Sequence, residues 1–269
     1  MEKEYYSKLI LAFLIVLVIA SPFGIFLFAS LNVIKESVLA ISVGSFEFIS
    51  LTDLSFSIAV SLTATICAVT IGSLISFHLA NYGKSKLKYG ILNIVLVLPH
   101  LGFAYIIYLF FSDTGFLFRL LALIGITSEF ILINDKMGIG IILNYILKEV
   151  PFVILYLLAT NKNEVADHVF AAKDLGASYF EIFRKIYLPL NSIQIMSISV
   201  VIFAFVLGNY EVPFLLGANS PQFLSVSALE NFQSIDAEQN IASYLKVIII
   251  FLISFLMSIP LRIYVRSIK

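Results

Sequence analysis

Apolar residues fall along this chain in runs long enough to cross a lipid bilayer, separated by short polar stretches. A hydrocarbon core about 30 Å thick takes roughly 20 residues of helix. Leu9–Leu31, Leu54–Ala80, Tyr89–Phe111, Ser192–Leu216 and Ser243–Ile263 meet that length plainly. A further run, Gly138–Thr160, is interrupted only by Lys148 and Glu149. The segment Phe116–Ile133 is broken by Arg119, Gly125, Ser128 and Glu129, so a loop or short interfacial helix is expected there. Lys3 and Lys8 precede the first run as in a secretory signal, but its length and the lack of a clear small-x-small cleavage site point to a membrane helix.

Composition agrees with lipid as the solvent. The chain has 269 residues, 60% hydrophobic and 13% charged, where an ordinary soluble domain carries about 25% charged residues. Mean hydropathy is +1.02 and the pI is about 6.8. Zero net charge argues against a nucleic-acid partner. Cys67, the single cysteine, excludes a disulfide framework and a multi-cysteine metal site.

Lysine and arginine placement orients the spans. With both termini in the cytoplasm, the inner segments hold Lys3, Lys8, Lys84, Lys86, Lys88, Lys162, Lys173, Arg184, Lys185, Arg262, Arg266 and Lys269. The outer ones hold Lys35, Arg119, Lys136 and Lys246, and Lys148 lies within a helix. The expected fold is therefore all-α and polytopic, with six transmembrane helices and cytoplasmic N- and C-termini. Residues 1–53 would form the first helix and an outer loop, and 54–269 a five-helix core.

One polar segment is longer than the rest. Residues 161–191 read NKNEVADHVFAAKDLGASYFEIFRKIYLPLN. A helix is expected from about Asn163 to Leu175, with Val165, Val169 and Ala172 on one face and Lys162, Asp167, Lys173 and Asp174 kept polar. Gly176 suits the left-handed residue that closes a helix. Ser178, with Glu181 three residues on, makes a capping box for a second helix ending before Pro189.

Ala171-Ala172, then Gly176, then Ile186-x-Leu188-Pro189 resembles the signature loop of type I ABC importer permeases. Leu98-Pro99-His100, Lys148-Glu149-Val150-Pro151-Phe152 and Asn209-Tyr210-Glu211-Val212-Pro213 are similar to segments of permeases for polyamines, thiamine, aminoethylphosphonate and iron. The resemblance implies that the loop holds a coupling helix docking into a groove of an ATPase subunit, through Phe170, Ala171, Ala172, Asp174, Gly176, Ile186, Leu188 and Pro189. Phe170 stands where the family usually has glutamate, which makes an apolar anchor the expected contact there. The resemblance further implies two ATPase subunits binding ATP and Mg, a second and different permease subunit, an extracytoplasmic solute-binding protein, and a small polar solute such as spermidine or putrescine. The bacterial inner membrane is the implied location.

This chain has no G-x-x-x-x-G-K-[ST] phosphate loop, so it carries no ATP site of its own. His78, His100 and His168 show no metal-ligand spacing, and no serine or cysteine is paired with a base in a recognisable motif. Neither a metal nor catalysis is expected. Lys148 and Glu149 fall near the bilayer midplane, where charges face a bundle interior or a watery path. One reading has them line a translocation path; the other makes an ion pair that holds helices together. Tyr210 and Glu211 are candidates for the same path, with Asn209 beside them. Ala64, Ala68, Gly72 and Ser76 form a small-residue stripe suited to close helix packing. The alternative function is a secondary active transporter, which would explain the buried charges but not the folded loop.

Overall fold

The computed structural model describes residues 28, 31–36, 38–39, 41–42, 49–82, 94–125, 132–160 and 163–268. The predicted first span, Leu9–Leu31, lies almost wholly outside these residues. Among the described residues there is no β-strand, only an isolated bridge between Asp135 and Gly217. Helix α1 spans Leu51–Tyr82, α2 His100–Phe111, α3 Phe116–Leu123 and α4 Ile139–Thr160. Helix α5 covers Asn163–Asp174 and α6 Tyr179–Leu190, the latter with a π-helical stretch at Phe183–Tyr187. Ser192–Gly208 is α7, Glu211–Leu216 α8, Leu224–Gln233 α9, Ala237–Met257 α10 and Ile259–Ile268 α11.

Leu51–Ala80, His100–Leu123, Ile139–Thr160 and Ala237–Arg266 are long and apolar enough to cross a bilayer. The pair α6 and α7, bent by 75° at Asn191, adds a fifth crossing if the two are counted as one. The protein is thus a polytopic helical membrane protein.

Helices α1 and α4 run side by side in one direction and form the centre of the bundle. Their seam is the small-residue stripe: Ala64, Ala68 and Ser76 are fully buried. A Cβ on Gly72 would lie 2.6 Å from Val153 Cβ, so only glycine permits this approach. Ser57, Ser61 and Thr65 share the buried surface, and each hydroxyl donates to the carbonyl four residues earlier in α1. This back-bonding satisfies a polar side chain where no water is available.

Two predicted spans prove to be broken, and a third, Ser243–Ile263, pauses for one residue at Ser258 between α10 and α11 while remaining one crossing. The run Tyr89–Phe111 is interrupted at Leu98–Pro99, between a helical turn at 94–97 and α2; residues 83–93 lie outside those described. Ser192–Leu216 is interrupted at Asn209–Tyr210, between α7 and α8. Proline causes both breaks, because it lacks the N–H that the carbonyl four residues back would receive. The orphaned groups are Val95 O and Asn209 O. By contrast α4 carries Pro151 without ending there.

The loop between α4 and α7 also departs from expectation at its second helix. That helix passes through Pro189 to Leu190 instead of ending before it. The Leu188 N–H bonds Phe183 O, five residues back, so the backbone has widened ahead of the proline. Lys246, assigned to an outer segment, lies inside α10 and is 2% exposed.

Candidate functional site

Three sets of residues with chemical potential occupy three levels of the bundle. At one end, α5 and α6 fold against the C-terminal part of α1. Val165, Val169 and Ala172 are buried with Phe77, Ile182, Phe183 and Tyr187. Tyr187 Oη donates to Ser76 Oγ at 3.1 Å, tying α6 to α1. The turn between α5 and α6 is a Schellman closure: Ala177 N–H bonds Ala172 O, and Gly176 has φ +79°. Ser178 and Glu181 form the capping box in both directions. Glu181 also meets Lys185 at 3.3 Å. The Ser178 hydroxyl and backbone, followed by Lys185, hold the Glu181 carboxyl down at about 2.

The predicted coupling residues divide between two surfaces. Ala172 is buried and Ile186 and Leu188 are half-buried against the apolar cluster. Phe170, Ala171, Asp174, Gly176 and Pro189 are exposed. Phe170 is 66% and Leu175 88% exposed, and the Lys173 ammonium lies 5.7 Å from the Phe170 ring centre. The open side of α5 thus presents large apolar groups away from the bundle.

At mid-depth lies the Pro99 break. Lys148 Nζ donates to Val95 O at 2.6 Å, Leu98 O at 2.6 Å and Leu96 O at 3.3 Å. All three ammonium hydrogens are used, and Val95 O recovers the donor that Pro99 denies it. Glu149, one residue on, turns to α2 and meets His100 Nε2 at 3.0 Å. Lys148 and Glu149 therefore take different partners. Both border a cavity of about 280 Å³ between the 94–97 turn, α2, α4 and α7. The sequence assigns His100 no site role; its place directly after Pro99, at a helix start, is the available signal.

Toward the opposite end lies the Pro213 break. Ser225 Oγ donates to Asn209 O at 2.8 Å, and Asn209 Oδ1 accepts from Tyr145 Oη at 3.1 Å and Val212 N at 3.2 Å. Tyr210 borders a second, larger groove of about 810 Å³ with Ser225, Phe232 and Tyr244. Glu211 lies in the first turn of α8 and borders neither space. The four path candidates are thus split: Lys148 and Glu149 at one cavity, Tyr210 at another groove, Glu211 at neither. Short helix α9 is pinned here, with Gln222 N donating to Asp53 Oδ1 and Leu224 N to Ser57 Oγ. Lys246, missed as a functional candidate, donates to Ser227 Oγ of α9 at 2.6 Å.

Discontinuous helices with polar groups gathered at the breaks, inside a polytopic bundle, are an arrangement found in membrane transport proteins. The chain matches the family of binding-protein-dependent transport system inner membrane components over residues 68–269. It belongs to that family and is a permease subunit of a type I ABC importer. Such permeases generally work with ATPase subunits and a solute-binding protein. No curated protein matches the chain.

Proposed function

We propose that this chain forms one half of the translocation path of a bacterial inner-membrane importer, with six transmembrane helices and both termini in the cytoplasm. Its partners in this reading are two ATPase subunits that bind ATP and Mg, a second and different permease, and an external solute-binding protein. Helix α5 is the coupling helix. The solute is small and polar, a polyamine such as spermidine or putrescine being the first choice. Closure of the ATPases draws the coupling segments together and reverses the side to which the path opens.

The observation that carries this reading is the open side of α5, where Phe170 and Leu175 stand exposed beside Ala171, Asp174 and Gly176 while the other side is anchored on α1. Charge distribution supports the orientation. Lys173, Arg184, Lys185, Arg262 and Arg266 lie toward the α5–α6 end, which α11 joins through Ser192 Oγ and Tyr264 Oη at 2.8 Å. Asp53, Asp135, Glu230, Asp236 and Glu238 lie toward the other, against Arg119 and Lys136. An acidic outer face suits a cationic solute.

The test is co-purification of the tagged chain with the products of neighbouring genes, comparing wild type with Phe170→Asp and Gly176→Asp. Wild type should retain an ATPase and a second permease, and both variants should lose the ATPase while keeping the second permease. Failure of wild type to bring down any ATPase in mild detergents would overturn the coupling role.

A further inference from the structure

The cavity at the Pro99 break has a composition that selects among ligands. Six of its lining residues matter: Leu96, His100, Glu149, Phe152, Val201 and Phe205. At about 280 Å³ it lies just under the roughly 300 Å³ at which small-molecule pockets begin. Glu149 is only 5% exposed, and His100 engages its Oε1 alone; the other oxygen has no hydrogen-bond partner among the described residues. The remaining polar side chains at the cavity are committed. Lys148 gives its three hydrogens to backbone carbonyls, and His100 holds Glu149 while its ring lies 4.6 Å from that of Phe205.

The unfilled valence is therefore an acceptor, and a carboxylate. Aromatic rings attract cations through their negative faces, and two phenylalanines border the same space. The Lys148 ammonium also borders the cavity, but its hydrogens point to the three carbonyls, so an incoming anion would meet the Glu149 charge with no side-chain donor left to receive it. The rest of the lining is aliphatic.

We infer that this cavity binds the ammonium group of a small aliphatic amine, the charged head at Glu149 Oε2 and the carbon stem against Val201 and Leu96. The inference rests on the permease reading, since a site at this depth is reached only along a solute path. It assigns separate roles to the adjacent charges: Glu149 touches the ligand and Lys148 positions the broken helix beneath it.

The experiment reads the cavity's charge preference without knowing the physiological solute. Cys67→Ser/Val201→Cys, in the full complex in lipid nanodiscs, is treated with a cationic trimethylammonium-ethyl and an anionic sulfonatoethyl methanethiosulfonate. Each rate is normalised to that of a free thiol. The cationic reagent should react at least about tenfold faster, the scale on which a charged cleft concentrates counter-ions. Glu149→Gln should collapse that ratio toward one. n-Butylammonium should slow the cationic reaction, and butyrate should not. An equal or reversed preference, protection by butyrate, or no reaction with either reagent would overturn the site. ATPase co-purification from the same preparation separates the two ideas. A retained ATPase with no charge preference removes the amine site alone; a charge preference with no ATPase removes the importer reading alone.

Discussion

Pro99 and Pro213 each deny a helical carbonyl its donor, and the chain meets the two losses differently. At Pro99 a single ammonium, Lys148, serves three carbonyls. At Pro213 a neutral hydroxyl, Ser225, serves one. The second break needs less because its other groups are met locally: Asn209 Oδ1 caps Val212 N, and Gly217 N bonds Pro213 O. A buried charge is costly to desolvate, and it is placed where several acceptors converge at mid-depth. Where one acceptor remains, a serine suffices.

Lys148→Met should be the most damaging change, because each buried carbonyl left without a donor costs about 1–3 kcal/mol. Thermal unfolding in detergent should show a loss of roughly 3–9 kcal/mol on the same basis; a loss no greater than that of Ser225→Ala would remove the distinction between the breaks. Next, Pro99→Ala should partly rescue Lys148→Met by returning a donor to Val95 O. A double-mutant cycle should give a coupling of about 0.5–3 kcal/mol, and strict additivity would show that Lys148 does not answer for that carbonyl. Ser225→Ala should cost about 1 kcal/mol, read in the same unfolding assay.

The smallest effect belongs to a site remote from both breaks. Glu181 is held at about 2, below its ordinary 4.5, first by the Ser178 hydroxyl. A carboxyl lowered in the folded state stabilises fully above its ordinary value, and that contribution disappears as pH falls from about 4.5 toward 2. Glu181→Gln should therefore lower α5–α6 protection in hydrogen exchange at neutral pH and leave it unchanged near pH 2, flattening the pH dependence within that window. A difference of the same size at pH 7 and pH 3 would place the effect elsewhere.

Features written in local spacing are legible in the sequence alone. Helix α5 begins at Asn163 and ends within a residue of the expected Leu175, Gly176 closes it, and Ser178–Glu181 caps the next helix. The stripe Ala64, Ala68, Gly72, Ser76 is the α1–α4 seam. What escaped the sequence depends on partners far apart along the chain. Lys148 and Val95 are 53 positions apart, and His100 and Glu149 are 49. No periodicity reports such pairings. Lys246 was misplaced for a related reason: a lysine near the start of an apolar run reads as an interfacial anchor, and only the position of α9 buries it. Pro189 was read as a stop because the widened turn that admits it has no simple residue signature.

Helix α1 touches both ends of this arrangement. Phe77 lies in the cluster that seats α5 and α6, while Asp53 and Ser57 hold the first backbone amides at the start of α9. Between Asp53 and Phe77 the helix is unbroken, about 36 Å of continuous rod. Proline breaks occur in the spans around it, and α1 contains no proline at all. The ends of α1 at Phe77 and Asp53 are therefore connected with no joint between them. Helix α1 is the one unbroken member of this frame among the described residues that reaches from the seat of α5 and α6 to the start of α9, and the spans broken at Pro99 and Pro213 are the jointed ones.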